Sequence, residues 1–177
     1  DQNFDMIRYV HEAWNAANRD VLTQLFNRRY FFAHAEKIYQ GAKEGKYQIA
    51  LAMVDADHFK KVNDTFGHDV GDQALVAISG LMRSISGEHG VVARFGGEEF
   101  VYLAICGDNC DPRVDLEKLR AAVEALDLRT ETDEAVPLTV SVGAATALGD
   151  SLEGMLKVAD EALYEAKHQG RNRIVFR

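Results

Sequence analysis

The chain has 177 residues, 47% of them hydrophobic, which is enough to bury one sizeable core, so a single globular domain is expected. Its 28 acidic and 20 basic side chains leave a net charge of −8, which excludes recognition of nucleic acid through a broad basic face. An anionic ligand would need a few placed Lys and Arg, helix N-termini, or a divalent metal held by some of the surplus carboxylates.

The longest apolar run, residues 49–54, falls far short of the ~20 residues needed to span a bilayer, and no charged-then-apolar signal segment opens the chain. A cytoplasmic domain without direct membrane contact is expected. Cys106 and Cys110 have no second Cys or His pair at ligand spacing and read as ordinary thiols. The chain starts at Asp1 without a methionine, as expected of a piece of a longer protein, soluble or membrane-anchored, whose sensor domain precedes it.

In chain order, residues 4–18 repeat apolar side chains at helical spacing (Phe4, Ile7, Val10, Trp14, Ala17) and predict an amphipathic helix. Asp20 and Thr23 mark a turn before a second helix over 27–45. YQIALAMVDAD is a nearly continuous apolar run ending in acids, as expected of a buried central strand with functional groups at its C-terminal end. A helix follows over 69–86, then a hairpin in VVARFGGEEFVYLAIC, a helix over 115–126, a strand over 136–145, a helix over 151–168 and a short strand over 173–176. The order α-α-β-α-β-β-α-β-α-β indicates an α/β sandwich around a mixed sheet, without internal repeats or linkers.

Asp55 and Asp57 end the central strand, while Glu98 and Glu99 occupy the hairpin turn. If the two strands are neighbours, four carboxylates converge, and such a group repels itself unless a cation neutralises it. Hard oxygen ligands of this kind suit Mg²⁺ or Mn²⁺. Taken singly, each pair also reads as solvated surface acids.

The run RFGGEEF, residues 94–100, resembles the signature of the GGDEF family of diguanylate cyclases, with Glu98 in the third signature position. DVLTQLFNRR, DADHFKKVNDTFGHDVGD, LTVSVGAA, ADEALYEAK and GRNR resemble further motifs of the family and stand in its order. The resemblance implies two parts, a signalling-type helix over 1–19 and the catalytic domain over 20–177. It also implies a central, mostly antiparallel sheet of five strands flanked by helices, related to class III nucleotide cyclases and the polymerase palm. The implied activity is condensation of two GTP into cyclic di-GMP across a homodimer, because each 3′-hydroxyl must reach the other molecule's α-phosphate.

By the same resemblance, Asp55, the carbonyl of Ala56 and Glu98 bind Mg²⁺, with Glu99 beside them and Glu98 as candidate general base. Paired metals suit this chemistry because they acidify the attacking hydroxyl and neutralise charge on the phosphates. Gly96 and Gly97 suit a turn of positive φ that a nucleotide approaches closely. Asn63 and Asp72 resemble the guanine-recognising pair, since one carboxylate can accept guanine's N1–H and 2-amino group together. Without the family match, Asp72 would serve equally as a helix cap. Lys60, Lys167 and Arg171 resemble phosphate-binding cations, although basic residues near a helix C-terminus also favour the macrodipole. His68 lines the nucleotide pocket and His58 is read the same way or as packing, not as a proton carrier. Phe59, Phe66, Leu75 and Phe100 read as core, and Asp20 is expected to pair with Arg28 or Arg29. The family's inhibitory Arg-x-x-Asp product motif is replaced here by Gly87 and Gly90, so no inhibitory product site is expected. A silent GTP-binding module, a cyclic di-GMP receptor and a synthase of altered product are the rivals; an intact signature, the missing product motif and Asp72 respectively argue against them.

Overall fold

The helix expected over 4–18 forms as α1 (Gln2–Asn18), its N-terminus capped by Asp1, which accepts a hydrogen bond from Asn3 N at 3.2 Å. The structure is a computed structural model and describes residues 1–107 and 111–177. Nothing in α1 is buried: Phe4 is 73% exposed and Ile7 67%. Among the described residues, its C-terminal end alone meets the rest of the fold, where Trp14 packs edge-on against Tyr30 and Asn27 donates to the Ala17 carbonyl.

After β1 (Phe26–Asn27) come α2 (Arg28–Lys43), β2 (Gln48–Ala56), α3 (Phe59–Phe66), α4 (His68–Ser86) and the hairpin of β3 (Gly90–Gly96) and β4 (Glu99–Cys106). α5 (Pro112–Glu124), β5 (Val140–Ala145), α6 (Leu152–His168) and β6 (Ile174–Phe176) complete the chain. The sheet has six strands in the order β1-β3-β4-β2-β5-β6, antiparallel at its centre and parallel at both outer pairs. The sixth strand, β1, is two residues long and too short to show alternation, which is why five were expected. α3 likewise spans two turns between left-handed His58 and Gly67, and sequence periodicity does not separate it from α4.

β2 is buried on both faces, and its alternation divides the core in two. Ala50, Ala52 and Val54 face α4 and α5 through Leu75, Ile78, Met82, Leu116 and Leu119. Ile49, Leu51 and Met53 face α2 and α6 through Phe31, Tyr39, Met155 and Leu163. α6 lies directly on β5: a Cβ at Gly143 would sit 2.0 Å from Leu163 N and 2.3 Å from Ala159 O. That close approach carries the end of α6, with Lys167, over the C-terminal end of β2. Leu75 and Phe100 are core as expected, whereas Phe59 and Phe66 are half-buried. Cys106 is buried at the end of β4, and Cys110 lies outside the described residues. No helix among the described residues is long and apolar enough to cross a membrane.

Candidate active site

The site is assembled at one end of the sheet by strand register. β2 and β4 pair antiparallel with Asp55 opposite Glu99, and Ala56 N donates to the Glu98 carbonyl at 3.2 Å. The pairing of β3 with β4 shifts between Arg94 and Gly96, and the turn continues through Gly96 (φ 145°) and Gly97 (φ 52°). Side chains rarely adopt either angle, so the paired glycines let the signature turn close beside β2. Arg94 locks that turn by donating from Nε and Nη2 to the Gly97 carbonyl at 3.0 and 2.7 Å.

Asp55 is 4% exposed, and Lys167 Nζ donates to its Oδ2 at 2.9 Å. Burial pushes the Asp55 carboxyl up to about 6; the Lys167 ammonium opposes this, and the negative charges of Glu98 and Glu99 add to it. Burial also raises Asp160 on α6, opposed by Arg28 and Lys167. Asp55, Ala56, Glu98, Glu99 and Lys167 therefore meet at one sheet end. Among the described residues no three His, Cys, Asp or Glu already form a ready metal cluster.

Asp57 does not join the carboxylate group expected from the sequence. β2 ends at Ala56, and the Asp57 carboxylate turns aside to accept from Thr139 Oγ1 at 2.7 Å, Ser141 Oγ at 2.6 Å and Asn172 N at 3.0 Å. With three donors satisfied in a buried setting, it has no need of a cation. Asp20 also differs from expectation: its partner is Arg94, at 3.2 Å, and neither Arg28 nor Arg29. Burial alone would raise the Asp20 carboxyl, but the Thr23 N–H and hydroxyl and the Arg94 guanidinium outweigh it and hold it below the usual range. Arg28 instead stacks over Phe32 and Phe95, at 5.2 and 4.7 Å.

Asn63 and Asp72 lie on the packed helices α3 and α4, joined by a glycine that sequence reasoning passed over. A Cβ at Gly71 would fall 1.9 Å from Asn63 Oδ1, so any other residue there would push the Asn63 side chain out of its present position next to Asp72. The capping alternative for Asp72 falls away, because α4 starts at His68 with Gly67 as its N-cap. His68, Asp72, Gly96 and Gly97 are exposed. Lys60 and Arg171 are exposed and make no ion pair among the described residues, so they are not drawn into the Asp55 group. Gly87 closes α4 at φ 52°, and a Cβ at Gly90 would meet Tyr102 Cε2 at 2.4 Å.

The family model for the diguanylate cyclase GGDEF domain matches residues 17–173. The probable diguanylate cyclase DgcT of Escherichia coli K12 is 40% identical over 167 residues, which cover 92% of this chain and 36% of that protein. The response regulator PleD of Caulobacter vibrioides is 36% identical over 159 residues, covering 88% of this chain and 35% of that protein. The coiled coil and GGDEF domain of DgcB from Caulobacter crescentus, solved in complex with c-di-GMP, superimposes with a TM-score of 0.91 at 31% identity, covering 99% of this chain and 94% of that one. The chain thus spans about a third of the length of the curated relatives it matches. With a match that runs from the end of α1 almost to the last strand, the chain belongs to the GGDEF family of diguanylate cyclase domains.

Proposed function

We propose that this domain joins two GTP molecules into cyclic di-GMP and two pyrophosphates, as part of a longer cytoplasmic or membrane-anchored signalling protein. The observation that carries the reading is the convergence of Asp55, Glu98 and Glu99 beside Lys167 at one sheet end of a GGDEF-family chain.

The donor set fits Mg²⁺ or Mn²⁺: it is hard oxygen throughout, and the buried Asp55 carboxyl stays costly to ionise even beside Lys167, so a second cation would be favoured there. Asp55, the Ala56 carbonyl and Glu98 would hold the metal, with Glu99 adjacent. When bound, it would acidify the 3′-hydroxyl and offset charge on the phosphates. The chain's own groups do the rest. Glu98 takes the proton of the attacking hydroxyl, Asn63 and Asp72 read guanine, and Lys60, Lys167 and Arg171 hold the phosphates. Lys167 now neutralises Asp55, but its side chain is 32% exposed and can turn to a phosphate.

Each domain holds one GTP, so synthesis needs two domains face to face. The exposed apolar side of α1 is read as the end of a signalling helix that pairs with its copy below a sensor domain. About two heptads of stripe make a marginal pair on their own. Incubation with GTP and Mg²⁺ should yield cyclic di-GMP on chromatography, with specific activity climbing as protein concentration rises. Absence of product at high concentration would overturn the assignment.

Feedback by product should be weak. Glycines at 87 and 90 offer neither a guanidinium nor a carboxylate, and Tyr102 crowds any side chain at 90. Initial rates with added cyclic di-GMP should reveal only weak competition with GTP, and strong non-competitive inhibition at submicromolar product would refute this.

A further inference from the structure

We infer that Asp57 is a positioning residue: its buried carboxylate fixes the turn at Arg171 and Asn172 and so sets where the Arg171 guanidinium meets the nucleotide's phosphates. The inference rests on the assignment of Arg171 to the phosphates of GTP.

The turn after α6 holds Arg171 in a conformation its side chain does not favour. Gly170, Arg171 and Asn172 follow one another at φ 121°, 64° and 45°; glycine and asparagine enter this region readily, and arginine does not. Arg171 persists there only where its surroundings impose it. Arg171 N donates to the Ala166 carbonyl at 3.0 Å, and Arg173 Nε donates to the Arg171 carbonyl at 3.0 Å. Asn172 is gripped at three points. Its N–H reaches Asp57 Oδ2 at 3.0 Å, its Oδ1 accepts from Arg120 Nη1 at 3.0 Å, and its Nδ2 donates to Glu124. Arg120 is itself braced by Glu117 on α5, with Nη2 to Oε1 at 2.6 Å.

Among these grips, Asp57 is the one that comes from the catalytic strand end. It is 5% exposed and already anchored by the Thr139 and Ser141 hydroxyls, so its third bond, to Asn172, is made from a fixed base. Asp55 and Asp57 are two residues apart, one turned to Lys167 and the other to the turn that carries Arg171. The same strand end thereby sets the spacing between the candidate metal ligand and a phosphate cation. The Arg171 side chain is exposed and unpaired among the described residues, so its reach depends on the backbone that presents it.

The test is a titration with a non-hydrolysable GTP analogue and, separately, with guanosine, which lacks phosphates. Asp57→Ala should weaken the analogue about tenfold and leave guanosine unchanged, because a displaced cation affects only the phosphates. Asp57→Asn keeps an acceptor oxygen for Asn172 N–H and the Thr139 hydroxyl, while its amide NH2 faces the Ser141 hydroxyl, which must then accept; exchanging a charged for a neutral acceptor should cost about threefold, which carries the same test if the alanine variant does not fold. In an Arg171→Ala background neither change should weaken the analogue further. Equal loss for guanosine, or losses that add to that of Arg171→Ala, would overturn the positioning role alone. Wild-type affinity in Arg171→Ala would overturn the Arg171 assignment and this inference with it.

Discussion

Asp55→Asn should abolish synthesis of cyclic di-GMP and, at pH 7 in the presence of a chelator, raise the melting temperature of the domain. Loss of activity follows from removing a candidate metal ligand at the centre of the carboxylate group, and a fall of about a thousandfold or more is expected. The gain in stability follows from burial. The Asp55 carboxyl stands at about 6 in the fold against an ordinary 3.8, because burial disfavours its charge more than Lys167 favours it. The native state therefore keeps a proton that the unfolded chain has lost, and stability falls as pH rises from about 4 to about 6. Above that range the penalty is complete, on the order of 2–3 kcal/mol at pH 7, since each tenfold change in proton affinity is worth about 1.4 kcal/mol. Asparagine removes it, and Lys167, being partly exposed, can return to water.

At about 2–4 °C per kcal/mol for a domain of this size, the variant should melt several degrees higher at pH 7, an advantage that vanishes below pH 4. Mg²⁺ should raise the melting temperature of the wild type and not of the variant. Calorimetry from pH 4 to 7 with and without metal checks both. A variant that melts lower at pH 7, or that still makes product, would show that Asp55 is a structural partner of Lys167 and not a metal ligand.

The proposed trade of stability for chemistry at Asp55 was only partly legible in the sequence. β2 announced itself as an apolar run with acids at its end, and the Gly-Gly turn at 96 and 97 told where the hairpin closes. Alternation predicts that Asp55 and Asp57 share a face. What it cannot predict is that the strand stops at Ala56, which frees Asp57 to turn toward Thr139, Ser141 and Asn172. Partners distant in sequence stayed hidden for the same reason. Nothing local marks Arg94 as the partner of Asp20, 74 residues away, and Arg28 and Arg29 were nearer candidates. Gly71 was visible as a letter but not as a need, because its role is space for the Asn63 side chain on another helix.

The space at Gly71 lies beside the pair proposed to read guanine, where the second large effect is expected. Asp72→Ala should weaken GTP binding and narrow the preference for GTP over ATP by about tenfold to a hundredfold. A carboxylate that accepts guanine's two adjacent donors finds no matching pair on adenine, and such hydrogen-bond discrimination is worth about 1–3 kcal/mol or more. Fold stability should hardly change. Asp72 is exposed, lies beyond the first turn of α4, and caps nothing, so its removal belongs with surface substitutions of about ±0.5 kcal/mol. Those two expectations separate recognition from structure. Competition titrations with GTP and ATP, read beside a melting curve, should show discrimination lost while the fold stands. Unchanged discrimination in a folded variant would move base choice away from Asp72 to Asn63 or to backbone groups of α3 and α4.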